Sequence, residues 1–221
     1  MASVERHLEP VAAQAAAGRA SPAVAQLWGN SAPLCLAAFA VTTFMLSMWN
    51  ADLVNVGTLP VILGVSLVFG GLTQLIGGVI QLRTGNTFGG ALFTGFGAFW
   101  LAAFYIFQFQ LKAVPLIQVG HGVGLFLYGF GIFAAMMFVA SFRTSIAVVV
   151  ALALLTATLF VLGVGQSTAT SGLIKTGGWM GIVLAAIAIY LSVAELCEAT
   201  YGREILPVGH LATVPGESLG E

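Results

Sequence analysis

Six stretches of this sequence are each long and apolar enough to cross a lipid bilayer. They run over residues 32–51, 58–82, 88–111, 117–140, 144–164 and 172–196, and together they fill most of the chain. A spanning helix needs about 20 apolar residues to cross a hydrocarbon core of roughly 30 Å. Runs such as VVVALALL lack the alternation of polar and apolar positions that strands of a membrane barrel require. The sequence therefore predicts an all-α integral membrane protein with six transmembrane helices and no second, soluble domain.

The chain carries too few charges for a water-soluble surface. Its 221 residues include seven Lys or Arg and eight Asp or Glu, or 7% charged residues, whereas a soluble domain has roughly 25%. No Lys or Arg stands in the middle of a run, and no carboxylate pair is buried, so the groups for acid–base catalysis are missing. Cys35 and Cys197 show neither a disulfide framework nor metal-ligand spacing. We therefore expect no enzyme, no cofactor, no metal and, at a net charge of −1, no nucleic-acid partner.

The segments outside the apolar runs predict the orientation of the chain. We expect a mobile cytoplasmic N-terminal tail at 1–29, the transmembrane domain at 30–197 and a cytoplasmic C-terminal tail at 198–221. Six spans place both tails on one side of the membrane. That side collects five basic residues, and the other side collects two. The five are Arg6, Arg19, Arg83, Arg143 and Arg203, and the two are Lys112 and Lys175. Because basic residues favour the cytoplasm, both termini are predicted to be cytoplasmic in a multi-pass protein of the plasma (inner) membrane.

A few polar side chains interrupt the apolar runs. Gln74 lies among glycines in the second run, where its amide either joins two helices or faces a polar pathway. Thr42 and Thr43 can bond back to carbonyls of their own helix. His121, near the start of the fourth run, is a candidate proton relay or an ordinary interfacial histidine. Aromatic residues at the ends of runs are typical of the aromatic belt. They are Trp28, Trp49, Trp100 and Tyr201.

Several motifs occur in order along the chain. NSAPLCL stands at 30–36, GNTFG at 85–89, TGFGAFW at 94–100 and YGREILPVG at 201–209. With these motifs the chain resembles the acetate uptake transporter family, which includes the bacterial succinate-acetate permeases. The resemblance covers roughly 30–210, nearly everything but the N-terminal tail.

The resemblance implies an architecture and a set of pathway residues. It implies a hexameric ring of six-helix protomers in the membrane lipid, each with its own pore for acetate and related small monocarboxylates and, in some members, succinate. The implied hydrophobic constriction consists of Phe39, Phe96 and Leu155. The implied polar positions along the path are Thr42, Thr43, Asn50, Gln74 and Asn86.

The GNTFG motif also has a physical explanation. Gly85 suits a tight turn between the second and third spans, and Asn86 or Thr87 can cap the third helix. Asn30 and Pro33 mark a second helix start, with proline in the first turn. Helix starts attract carboxylates, so the two starts together predict an anion vestibule without a basic side chain. The alternative is that both are ordinary caps and turns.

Three positions depart from the family pattern. Ser31 replaces a proline and Cys35 a glycine, which predicts a less rigid or less closely packed entry to the first span. Phe96 stands where close relatives are expected to have tyrosine, which removes a hydroxyl that could bond a carboxylate. This departure leaves open a substrate preference other than acetate.

Other functions remain open at this point. The transport could be passive, through a channel, or coupled to protons in a symporter. A channel for a small neutral solute such as ammonia or urea would have a similar hydrophobic constriction. A ring-forming membrane protein that conducts nothing would show the same glycine-rich packing faces.

Overall fold

The computed structural model of the chain describes residues 28–211. Within this part the six predicted runs form six apolar helices, each long enough to span a membrane. They are α1 (Ala32–Asn50), α2 (Val56–Arg83), α3 (Thr87–Ala113), α4 (Leu116–Arg143), α5 (Ile146–Ser167) and α6 (Ser171–Tyr201). The prediction of an all-helical chain with six apolar helices is confirmed. Residues 1–27, most of the predicted N-terminal tail, and 212–221 lie outside the described residues.

Consecutive helices run in opposite directions, which gives the bundle two distinct ends. The start of α1, the α2–α3 and α4–α5 loops and the end of α6 meet at one end, which we call the termini end. Contacts between Asn30 and Glu195 (3.4 Å) and between Ser145 and His210 join these parts. At the opposite end, called the far end, Lys175 forms an ion pair with Asp52 at 2.9 Å.

The six helices form a ring around a central axis. α1 packs against α6 and α2, α2 against α3, α4 against α5, and α5 against α6. The backbones of α3 and α4 approach each other at few points, and phenylalanine rings fill the space between them. Phe99 of α3 stacks on Phe126 of α4 with centroids 5.0 Å apart, and Phe96 meets Phe133 at 5.5 Å. These aromatic contacts close the ring.

The entry to α1 is closely packed around Cys35. Cys35 is fully buried, and a Cβ added at Gly77 of α2 would collide with its Sγ. The Ser31 hydroxyl donates to the Gly77 carbonyl at 2.8 Å. The extra volume of the thiol therefore fits because the facing residue is a glycine, which lets the two backbones come together.

Trp100 lies in the core of the bundle. The prediction that it belongs to the aromatic belt is wrong, because only 2% of its surface is exposed. It faces Gly70, where an added Cβ would lie 2.8 Å from the indole Cγ. Gly70 belongs to a π-helical segment of α2, Ser66–Thr73. The wide turn and the missing side chain together leave room for the indole between α2 and α3.

The chain beyond α6 turns back onto the bundle. α6 continues to Tyr201, four residues past the predicted boundary at 197, and Gly202 ends it in the left-handed conformation at φ +68°. Residues 202–211, which we call the C-terminal segment, then lie against the start of α5. Backbone N–H groups of Ile146 and Ala147 donate to the carbonyls of Gly209 (2.8 Å) and Val208 (3.2 Å). The segment is thus fixed to the termini end.

Candidate functional site

Two cavities follow the axis of the helix ring. The larger, about 950 Å³, reaches the termini end between α1, α3, α5 and α6, and we call it the termini cavity. The smaller, about 70 Å³, lies on the other side of the bundle centre between α1, α3, α4, α5 and α6, and we call it the far cavity. A continuous path along the axis must pass from one cavity to the other.

Four apolar side chains line both cavities and therefore separate them. They are Phe39 of α1, Phe96 of α3, Leu155 of α5 and Leu184 of α6. All four are buried, with exposed fractions of 9%, 2%, 7% and 1%. The structure thus brings together the three residues of the predicted constriction and adds Leu184, which the sequence analysis missed. We call these four residues the constriction.

The termini cavity contains three of the predicted polar residues, Asn30, Gln74 and Asn86. Gln74 is 1% exposed, and its Oε1 has no hydrogen-bond partner among the described residues. The side-chain amide of Gln81 lies 2.8 Å from Asn30 Oδ1 and 2.7 Å from Asn86 Nδ2. This amide holds the two asparagines, and with them the starts of α1 and α3, next to each other.

Both predicted helix starts have the expected local geometry. Gly85 turns the chain at φ +87°, and Asn86 caps α3 by accepting from the Gly89 N–H at 2.9 Å. Thr87 is the first residue of α3. Asn30 accepts from the Ala32 N–H at 3.0 Å, and Pro33 lies in the first turn of α1. The start of α5 differs, because the carbonyls of the C-terminal segment occupy its first N–H groups.

The termini cavity has charged walls, and the prediction of a vestibule without a basic side chain is wrong. Arg143 and His210 line it, together with Glu195, Glu198 and Glu204. Arg143 stands at the end of α4, Glu195 and Glu198 stand near the end of α6, and Glu204 and His210 belong to the C-terminal segment, so the charges gather at the termini end of the cavity, which we call its mouth. Among the lining residues the three glutamates outnumber the single arginine, so the mouth is acidic overall.

The two adjacent threonines of α1 have different positions. Thr43 lines the far cavity together with Asn50. Both residues are among the polar positions that the resemblance implies along the path. Thr42 lines neither cavity. Its hydroxyl donates to the Ala38 carbonyl at 2.7 Å, and it packs against Gly70 of α2. His121, the relay candidate, is exposed near the start of α4 and lines neither cavity.

The arrangement favours passage of a small molecule with one polar and one apolar part. Each cavity offers amides or hydroxyls, and the constriction offers only hydrocarbon. A charged group pays a large desolvation cost against such walls, and a neutral polar group pays less. Cavities of this kind can discriminate between solutes by size and polarity.

Comparison with known proteins agrees with these features. The sequence model of the GPR1/FUN34/yaaH family matches residues 12–213. The succinate-acetate/proton symporter SatP of Escherichia coli K12 is 29% identical over 180 residues, which cover 81% of this chain and 95% of that protein. Ammonia transport outward protein 2 of Saccharomyces cerevisiae is 34% identical over 181 residues, covering 80% of this chain. The chain spans 64% of the length of that yeast protein.

A solved structure has the same fold. The structure of the bacterial acetate channel SatP matches with a TM-score of 0.77 at 29% sequence identity. The match covers 82% of this chain and 99% of that one. The six apolar helices and this likeness identify the chain as an integral membrane protein.

Proposed function

Since the chain belongs to the GPR1/FUN34/yaaH family, we propose that it transports acetate and related small monocarboxylates across the membrane. One observation carries this proposal: two cavities on one axis meet at the four apolar side chains of the constriction. The likeness to the bacterial acetate channel SatP supports acetate as the substrate. Succinate, named for the E. coli relative, is a second candidate.

In the proposed path the solute enters at the termini cavity. The adjacent starts of α1 and α3, held by Asn30 and Asn86, present partial positive charge to a carboxylate. Gln74 adds a buried amide deeper in the same cavity. The solute then crosses the constriction and leaves through the far cavity, past Thr43 and Asn50.

The charge distribution favours a monocarboxylic acid that crosses with its proton. Glu198 and Glu204 disfavour anions at the mouth, and the apolar constriction opposes any bare charge. A proton on the solute removes both costs. A succinate dianion would meet roughly twice the repulsion of acetate at the same mouth, because Coulomb energy scales with charge.

A channel for a neutral solute is the second candidate. The similarity to ammonia transport outward protein 2 favours it, as does the acidic mouth, which attracts ammonium. Under this alternative the helix starts at Asn30 and Asn86 would be ordinary caps. A third possibility, a ring-forming protein that conducts nothing, gives no role to the aligned cavities.

The assembly and topology are part of the same proposal. We propose a hexameric ring of protomers, each with its own pore, in the plasma (inner) membrane with both termini in the cytoplasm. The basic residues support this orientation: among the described residues Arg83, Arg143 and Arg203 lie toward the termini end, and Lys112 and Lys175 toward the far end. Residues 1–29 and the end of the chain would then be cytoplasmic tails.

Uptake of labelled acetate into liposomes that hold the purified protein tests the proposal. Protein-dependent uptake that only equilibrates indicates a channel, and accumulation driven by a pH gradient and abolished by a protonophore indicates proton coupling. Empty liposomes correct for acid that crosses the lipid. Competition between ammonium and acetate for uptake distinguishes the second candidate, a channel for a neutral solute, from an acetate transporter. Uptake no faster than in empty liposomes, with and without the gradient, would contradict the proposal.

A further inference from the structure

The C-terminal segment, which contains most of the YGREILPVG motif, forms one wall of the termini cavity. It runs from the end of α6 to the start of α5, along the mouth. The residues of it that line the cavity are Glu204, Leu206, Val208, His210 and Leu211. The first four are alternate positions, as in an extended chain that turns one side inward. The segment therefore lies along the mouth as a strap.

The attachments of this strap are few and lie near the surface. The Leu211 N–H donates to the Thr144 carbonyl at 3.1 Å, in addition to the two bonds from the start of α5. The Tyr190 hydroxyl of α6 donates to the Pro207 carbonyl at 2.7 Å. None of residues 202–211 is buried, and only Leu206, Val208 and Leu211 are half-buried. Parts of a protein held in this way open at low free energy while the core stays folded.

The two ends of the strap differ in how tightly they fit. Gly202, at the end of α6, has φ +68°, and a Cβ added there would meet no atom within 4 Å. Gly209 has φ +70°, and a Cβ there would lie 3.2 Å from the Ile146 side chain. Glycine adopts such backbone angles without strain, and other residues do so at a cost. The chain is thus free to change direction at Gly202, whereas its fit on α5 depends on Gly209.

The docked strap changes the chemistry of the mouth. Its carbonyls accept from the N–H groups of Ile146 and Ala147, which otherwise present partial positive charge to an anion. It also places the Glu204 carboxylate in the cavity wall, 3.7 Å from the His210 Nε2. Release of the strap would free the two N–H groups, remove this carboxylate and open one wall of the cavity. Docking therefore makes the mouth narrower and less attractive to a carboxylate.

We propose that the C-terminal segment is an autoinhibitory strap. While it is docked on α5 it limits the entry of carboxylates into the termini cavity, and its release about Gly202, with the six helices in place, raises the rate of transport. The inference rests on the proposed function and adds a means of control at the mouth, away from the constriction.

A truncation and a point variant test the strap by removing it or weakening its attachment. A chain that ends at Tyr201 should take up acetate into liposomes faster than wild type. Its control ends at Leu211, keeps the strap and should match wild type. Tyr190→Phe should raise the rate by at most about fivefold, the shift in an equilibrium that the loss of one hydrogen bond produces. Tyr201→Phe is its control, since Tyr201 is exposed on the same helix and lines neither cavity.

A reversible lock covers the case in which a truncated chain fails to fold. Ser145 and His210 face each other in an antiparallel bridge of the kind whose Cα atoms lie about 4.5 Å apart, within reach of a disulfide. Ser145→Cys with His210→Cys, in a background with Cys35→Ala and Cys197→Ala, can therefore hold the strap docked. The oxidised protein should take up acetate more slowly than the same protein after reduction. Neither single-cysteine variant should respond to oxidation or reduction.

The outcomes separate the strap from the proposed function. If wild type carries acetate while the oxidised and reduced proteins carry it at equal rates, or the oxidised one is faster, the strap is wrong and the proposed function stands. The same holds if the chain that ends at Tyr201 folds and matches wild type. A cysteine pair that does not oxidise would contradict the docked position itself. If wild type carries no acetate, both proposals are wrong.

Discussion

The rings of Phe39 and Phe96 meet edge to face, with centroids 5.8 Å apart and planes at 71°. They come from α1 and α3, on the same side of the ring as the two capped helix starts, and Leu155 and Leu184 face them from α5 and α6. Phe96 also contacts Phe99 and Phe133, which holds its ring in place. The constriction is therefore two supported aromatic rings against two leucines, and the leucines are its more adaptable half.

Shortening Leu155 should widen the range of transported acids. In Leu155→Ala we expect the rate for lactate to rise relative to acetate, because the side chain that faces the aromatic pair is gone. The measurement is the ratio of labelled lactate to labelled acetate uptake in liposomes. Leu152→Ala is the control, since Leu152 is equally buried on α5 but lines only the termini cavity. An unchanged ratio of lactate to acetate uptake in Leu155→Ala would contradict a role of Leu155 in the constriction.

Leu184 should behave as a fourth member of the constriction. Leu184→Ala is expected to raise lactate uptake relative to acetate in the same assay, and to lower the free energy of unfolding by about 2–5 kcal/mol, as large-to-small core substitutions do. Leu191→Ala serves as the control, because Leu191 is buried on α6 but lines only the termini cavity. If Leu184→Ala and Leu191→Ala show the same ratio of lactate to acetate uptake, Leu184 has only a packing role.

The close approach of α1 and α2 should depend on Gly77. Gly77→Ala is expected to destabilise the protein by about 1–3 kcal/mol, the usual cost of overpacking, because the new methyl group collides with the Cys35 thiol. Thermal unfolding in detergent measures the change. Gly122→Ala should have little effect, since a Cβ there meets no atom within 4 Å. Cys35→Ala should rescue Gly77→Ala; a double variant as unstable as the single one would show that the collision is not the cause.

The acidic mouth should disfavour dianions. Glu198→Gln is expected to raise succinate uptake relative to acetate by about twofold at low ionic strength, and less in high salt, because exposed charges are weak and screened. Asp52→Asn removes a carboxylate at the far end, outside both cavities, and is the control. A ratio that does not depend on salt in either protein would exclude the glutamates as a barrier to entry.

The sequence predicted the helices well, because each apolar run is long enough to cross a membrane once. It predicted the residues that line the two cavities only in part. Phe39, Phe96 and Leu155 came from the family resemblance, and the structure brings them together. Leu184 stands in the run IVLAAIAIYL, where nothing distinguishes an inward leucine from one that faces lipid. Thr42 and Thr43 are adjacent in the sequence, and only the packing of Thr42 on Gly70 shows which of the two residues lines a cavity.

Charges at the termini cavity could not be read from helix patterns either. Glu204 and His210 belong to the C-terminal segment, and their position depends on how that segment folds back onto α5. Trp100 was assigned to the aromatic belt together with the aromatic residues near the predicted ends of the apolar runs. The glycine that receives its indole is on another helix, thirty residues earlier in the chain.

The most direct test of the account is to block the constriction chemically. Leu155→Cys, in a background with Cys35→Ala and Cys197→Ala, places one thiol between the two cavities. Ile146→Cys in the same background, on α5 but outside both cavities, is the control. A small charged methanethiosulfonate that enters through the termini cavity should abolish acetate uptake by the Leu155 variant, a reductant should restore it, and acetate should slow the labelling. Fully labelled Leu155→Cys protein that carries acetate at the unlabelled rate would contradict a path through the constriction.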